Sequence, residues 1–222
     1  MEQLLYYNMG PDIEAFSTRK DSVLPYHVVQ PHQVHGDKIA VVVDRGTSRD
    51  RLDGVDALVT NLTECSIGVR SADCVPILLY DKTIKLIAAV HSGWRGTTKR
   101  IVQKTISVMN REFGCHSMNL VAVIGPSIGP NSFIVHDDVM RAFSSEGFPM
   151  SNICKKISDG QYKIDLWGAN KYLLMETGVM PQSIQTAGIC SFKNHDEFFS
   201  ARYEKNNKCG RTINAIKIKT IC

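Results

Sequence analysis

At 222 residues, with 43% hydrophobic and 22% charged content, the chain is long enough to bury a sizeable core and lacks the composition of a disordered segment. Its 26 basic and 22 acidic residues leave a formal net charge of +4, spread along the chain rather than gathered into the footprint of a nucleic-acid binder. The densest basic patch, Lys205 and Lys208 in "KNNKCGR", is short, and the mild excess suits anionic small molecules such as phosphate.

The start, "MEQLLYYNMGPDIEAF", has an acidic residue second and no basic region ahead of a sustained apolar stretch, so no signal peptide is expected. Short β-rich runs follow at 39–43, 57–60, 67–69, 76–80 and 84–90, several of them continuously apolar, as in strands covered on both faces. Thr97 or Thr98 is then placed to cap a helix in which Ile101, Val102, Thr105, Ile106, Met109 and Phe113 recur at spacings of three and four, with Gly114 ending it. A strand is expected at 120–124 and helices at 137–144 and 166–177, the last followed by Gly178 and weakened by Gly168. Strands at 184–189 and 213–218 complete the series.

No apolar run approaches the roughly 18 residues of a membrane-spanning helix. Strands outnumber helices and are often sequential, without repeats or linkers. The pattern predicts one layered domain over residues 1–222, mixed α/β or α+β rather than a regular βαβ winding. The 7 cysteines are odd in number and form no CxxC pair, which predicts reduced thiols in a cytoplasm and excludes a standard four-cysteine zinc knuckle.

Five stretches carry residues suited to chemistry. "QPHQVHGD" holds His32 and His35, which surface or structural roles would also explain. In "SADCVPILLY", Cys74 opens an apolar strand, where a cysteine is commonly an inert small hydrophobe, but the preceding Asp73 is odd for a core. "HSGWRG" places His91 at the carboxyl end of the next run, beside Gly93, Gly96, Trp94 and Arg95. Trp94 reads as a packing wedge, and Arg95, at a helix start, as an anion contact. "IGPSIGP" reads as a rigid turn whose amides can also form an anion nest. "FFSARYEKNNKCGR" adds Ser200, Arg202 and Arg211, either simply solvated or part of a lid over an anion or a base.

His35, Cys74 and His91 form a three-ligand set that suits zinc with one position left for water. Their spacing is not diagnostic, and the same residues admit a cysteine hydrolase with Cys74 as nucleophile and His91 as base.

The ordered set "QVHGD", "DGVDALVT", "ADCVPILLYD", "AVHSGWRGT", "GPSIGP", "GICSF" and "FFSARYEKNNKCGR" resembles the YfiH-type laccase-domain family, also called multicopper polyphenol oxidase proteins. The resemblance covers roughly residues 30 to 212. It implies a layered α/β/α-like, YfiH/CNF-like fold with mixed sheets. It also implies that His35, Cys74 and His91 are zinc ligands beside a pocket. This chain departs from the pattern at Ser127, where relatives often have cysteine, at Phe133 in place of tyrosine, and at Ala201 in a usual Ser-Tyr-Arg.

The family's name implies copper oxidation of phenols. A multicopper cluster needs many imidazoles, typically in His-x-His pairs, whereas this chain has 7 histidines and no such pair, so zinc is favoured over copper. The resemblance instead implies a purine nucleoside phosphorylase acting on adenosine, inosine and methylthioadenosine, with adenosine deaminase activity: a transferase and hydrolase taking free nucleoside and phosphate, as monomer or homodimer, without nucleic acid or membrane.

For deamination, a metal that acidifies water suits attack at purine C6, with Asp73 as proton shuttle. Neighbours on an extended strand point to opposite faces, so Asp73 and Cys74 share a site only if the chain bends between them. For phosphorolysis, Arg95, Arg202 and Arg211, in falling order, are the phosphate candidates, joined by Gln33 at the head of "QVHGD" as a substrate contact. C6 and C1′ lie at opposite ends of a nucleoside, so either the substrate binds in two ways or the metal polarises the base in one reaction.

Overall fold

A computed structural model describes residues 3–205 and 209–220. Met1 and Glu2 of the N-terminal start, Lys208 of the basic loop and Cys222 lie outside them.

Among the described residues, thirteen strands and six helices follow in chain order. The strands are β1 (Leu4–Tyr7), β2 (Ile13–Thr18), β3 (Ile39–Val41), β4 (Ala57–Thr60), β5 (Ser66–Ser71), β6 (Val75–Asp81), β7 (Leu86–Ser92), β8 (Leu120–Ile124), β9 (Ile134–Val135), β10 (Cys154–Ser158), β11 (Gln161–Ile164), β12 (Ile184–Thr186) and β13 (Thr212–Ile218). The helices are α1 (Trp94–Thr98), α2 (Ile101–Phe113), α3 (Asp137–Ser145), α4 (Met150–Ile153), α5 (Leu166–Glu176) and α6 (Ala201–Glu204).

A six-stranded sheet, in the order β12-β8-β6-β7-β4-β3, forms the centre. It is mixed: β12/β8 and β3/β4 run parallel, and the pairs between them run antiparallel. A four-stranded antiparallel sheet, β1-β2-β13-β5, and a small sheet, β10-β11-β9, complete the β structure.

Side-chain alternation along the central strands separates two cores. Ala57, Ile77, Leu79, Ala88 and Val90 pack with Ile101, Val102, Ile106 and Met109 of α2 and Leu173 of α5. Leu58, Leu78, Tyr80, Ile87 and Ala89 face the other way, onto Ile13, Ala15, Ile67, Val69, Ile216 and Ile218 of the four-stranded sheet. The layers therefore run helices, large sheet, second sheet. Every residue of β6 and β7 is buried, which is why both strands read as unbroken apolar runs.

The helix after β7 is broken where the apolar spacing suggested one piece. The N-cap of α2 is Arg100, not Thr97 or Thr98, and Gly93 caps the separate α1. Thr97 lies inside α1, its hydroxyl 3.0 Å from both Ser92 Oγ and the Gly93 carbonyl, in a buried network with Asn170 of α5. Arg100, left-handed at φ 61°, separates α1 from α2. Gly114 ends α2 as expected, left-handed at φ 73°. Gly168 proves compatible with α5, since its N–H donates to the capping Asp165 carboxylate at 2.9 Å. Strands β1, β2 and β9 to β11, each of six residues or fewer, lie outside the apolar runs singled out in the sequence. Among the described residues, no helix is long and apolar enough to cross a membrane.

Candidate metal centre

The chain leaves the four-stranded sheet at the end of β5 and enters the large sheet at β6 through Ala72, Asp73 and Cys74. At that seam lies a cleft of about 790 Å3 lined by His35, Cys74 and His91. Sheet register assembles it. On β7, His91 is paired with Pro76 of β6, while Ala57 of β4 pairs with Val90, which puts Asp56 beside His91. One step beyond the Val75–Ser92 pair, Cys74 meets Gly93.

One potential ligand atom from each of His35, Cys74 and His91 lies within 4.8 Å of the others. His91 is buried, Cys74 half-buried and His35 exposed, so the group opens to the cleft on the His35 side. The two imidazoles meet edge to face, with centroids 4.9 Å apart. His91 Nδ1 is 2.7 Å from Asp56 Oδ1, which leaves Nε2 available as a ligand. Burial works to raise the Cys74 thiol, but the His91 charge and hydrogen bonds from His35 and His91 prevail and bring it down to about 6. Burial lowers His91, and the Cys74 thiolate and Asp56 reverse this, lifting it to about 9. A thiolate flanked by two imidazoles fits a borderline-soft divalent ion.

Asp73 is left-handed at φ 81°, which supplies the bend needed for Asp73 and Cys74 to line one cleft. Its carboxylate is held by Ser191 Oγ at 2.6 Å and by the Arg202 N–H at 2.7 Å. Gln33 also lines the cleft, but its amide is engaged with the Arg70 main chain, donating to the carbonyl and accepting from the N–H, both at 2.8 Å. It anchors the "QVHGD" loop to β5.

The arginines part company. Arg202 and Arg211 line the cleft together with Arg70 and Lys205. Arg202 lies 5.7 Å over the Phe133 ring and donates to the Ile134 carbonyl at 3.0 Å, while Arg211 donates to the Gly210 carbonyl at 2.9 Å. Arg95, ranked first from the sequence, is not among the lining residues: it is exposed and stacks 4.3 Å over Trp94, which is half-buried against the helical core. The five-residue α1 turns this side chain outward. His32, at the rim, pairs with Asp53.

The "IGPSIGP" amides form no anion nest. Gly125, Ser127 and Ile128 donate to the carbonyls of Pro76, Ile189 and Asp73, and Gly129 donates to Cys190 Sγ. Ser200 caps α6, accepting from the Tyr203 N–H at 3.2 Å, and so presents Arg202 and Lys205 to the cleft.

Sequence reasoning passed over Asp56, Arg70 and Ser191. Asp56 carried the same signal that drew attention to Asp73, an acidic residue directly before an apolar strand. Arg70 had none, lying inside a strand.

Residues 16–219 match the family described as multi-copper polyphenol oxidoreductase laccase. A purine nucleoside phosphorylase of Bacteroides thetaiotaomicron is 41% identical over 204 residues, covering 89% of this chain and 75% of that protein. Adenosine deaminase RL5, from an unknown prokaryotic organism, is 39% identical over 196 residues, covering 85% of this chain and 74% of that protein. The solved structure of the YfiH protein of Bacillus licheniformis superposes with a TM-score of 0.91 at 24% identity, over 99% of this chain and 97% of that one, which establishes the mixed α/β fold.

Proposed function

Since this chain belongs to the multi-copper polyphenol oxidoreductase laccase family, we propose that it is a zinc-dependent purine nucleoside phosphorylase with adenosine deaminase activity, rather than a copper oxidase. The observation that carries the reading is the His35–Cys74–His91 group on the wall of a cleft whose rim bears Arg70, Arg202, Lys205 and Arg211. The names of the relatives, purine nucleoside phosphorylase and adenosine deaminase, support both reactions. A volume of about 790 Å3 accommodates a nucleoside together with phosphate.

His35 Nε2 or Nδ1, Cys74 Sγ and His91 Nε2 would hold the ion. When bound, it supplies Lewis acidity at the reacting end of the purine. Arg202, Arg211 and Arg70 offer positive charge to phosphate, placing it for attack at C1′ of ribose. Asp73, fixed by Ser191 and the Arg202 N–H, is placed to take and return a proton at the base. Ile128 and Phe133 form an apolar wall that shields part of the substrate from water. The protein takes free nucleoside and phosphate, as a monomer or homodimer in the cytoplasm.

Without metal, Cys74, His91 and Asp56 stand in the order of a nucleophile, a base and the group that orients the base, with the thiol lowered to about 6. A cysteine hydrolase would be indifferent to chelators.

The test is to incubate zinc-loaded protein with adenosine or inosine, with and without phosphate, and separate the products by chromatography. Phosphate-dependent release of free base that chelation abolishes and zinc restores is the expected result. Absence of turnover, or unchanged turnover in Cys74→Ala, overturns the reading. Chelator-insensitive hydrolysis would favour the cysteine hydrolase, and oxygen uptake with a phenol on copper loading would favour the oxidase.

A further inference from the structure

Asp56 has no exposed side-chain surface, and its two oxygens accept four N–H groups. Oδ1 takes His91 Nδ1–H at 2.7 Å and the His35 backbone N–H at 3.1 Å. Oδ2 takes the N–H of Gly36 at 2.7 Å and that of Val34 at 3.3 Å. A carboxylate has about four acceptor sites, so this one is saturated by protein donors.

Two consequences follow from the same group. The proton on Nδ1 of His91 leaves the Nε2 lone pair for the cleft. The turn that carries His35, left-handed at φ 59°, is wound around the carboxylate by three consecutive amides. One side chain thus orients two of the three candidate ligands, which belong to segments far apart in the chain.

The charge of the centre also favours a divalent ion. The ligand group contributes one negative charge, the Cys74 thiolate, and Asp56 contributes another just behind His91. Two neutral imidazoles add none. A divalent ion balances this pair, whereas a monovalent cuprous ion leaves an uncompensated negative charge where His91 is only 3% exposed.

We propose that Asp56 is the positioning residue of the metal centre, presenting His35 and His91 together and supplying the second negative charge that favours zinc over cuprous ion. The proposal rests on the metal reading above and concerns which ion the site selects and how it is preorganised.

The test compares wild type with Asp56→Asn, which keeps an acceptor for His91 but removes the charge and one acceptor of the loop amides. Zinc and cuprous affinities are measured by chelator competition, and the hydrogen exchange of His91 Nδ1–H by 15N NMR of the zinc-loaded protein. The expected result is a loss of zinc affinity of about 10- to 100-fold, a smaller loss for cuprous ion, and a His91 Nδ1–H that is protected in the zinc-loaded wild type and exchanges faster in the variant. Gly36→Ala provides a second route should Asp56→Asn fail to fold, because a Cβ there would stand 3.2 Å from Asp56 Oδ2; a smaller zinc loss in the same sense is expected. Equal zinc affinities, or an unchanged zinc-to-cuprous ratio, in a folded Asp56→Asn overturn the inference while leaving the metal reading intact. A wild type that binds neither ion overturns the metal reading itself.

Discussion

Cys74 lies so close beneath Gly93 that a Cβ on the glycine would stand 2.9 Å from Sγ, with His35 Cδ2 at 3.4 Å. Gly93 has an ordinary φ of −64°, so the demand on this position is one of space between two candidate ligands. Gly93→Ala is therefore expected to fold normally but to weaken zinc binding by about tenfold or more, as displaced ligand geometry does elsewhere. Chelator competition beside a thermal melt of the metal-free protein checks both halves. Unchanged affinity would mean the ligand group yields without cost.

The metal-free thiol should betray its neighbours. An ordinary cysteine is protonated until about 9, whereas Cys74 is lowered to about 6, so it stays a thiolate between those values and becomes protonated as the pH falls through 6. Its alkylation by iodoacetamide is expected to inflect near pH 6, and in His91→Ala the inflection should move upward, because the opposing charge is gone while burial remains. Zinc should suppress the reaction throughout. A wild-type inflection at the usual thiol value would show that the two imidazoles do not act on Cys74.

Arg202 and Arg95 give opposite expectations. Arg202 lines the cleft while Arg95 points outward over Trp94. Loss of a charge-assisted hydrogen bond is worth about 1.5–3 kcal/mol, so Arg202→Ala should raise the phosphate KM by about tenfold or more, and Arg95→Ala should leave it unchanged. Phosphate saturation curves decide; an effect confined to Arg95 would place phosphate outside the cleft.

Asp73 separates proton handling from metal binding. If its carboxylate moves the proton, Asp73→Asn lowers kcat by about 10²- to 10⁴-fold with zinc stoichiometry intact. Ser191→Ala, which removes only one of its two supports, should cost less. Loss of zinc in Asp73→Asn, read by metal analysis, would instead assign it a role in holding the centre together.

The sequence alone determined the elements whose burial is two-sided or strongly periodic. The runs 57–60 and 120–124 coincide with β4 and β8, and 137–144 falls one residue short of α3, because continuous apolar stretches and three-four spacing are local properties. Cys74 and His91 stood out as reactive residues at the ends of apolar runs and His35 as one of two histidines in a polar loop, but their spacing was not diagnostic, and only the family resemblance joined the three as a candidate ligand set.

What only tertiary structure decided depends on contacts between distant segments. Antiparallel register sets Asp56 beside His91 and Cys74 across from Gly93, and no spacing within one segment encodes either pairing. The same holds for the arginines: their position along the chain ranked Arg95 first, whereas the short turn of α1 and the capped α6 send Arg95 outward and Arg202 into the cleft. A ligand's chemistry is written in its side chain, but its tautomer, charge and company are set by groups brought from elsewhere by the packing of two sheets.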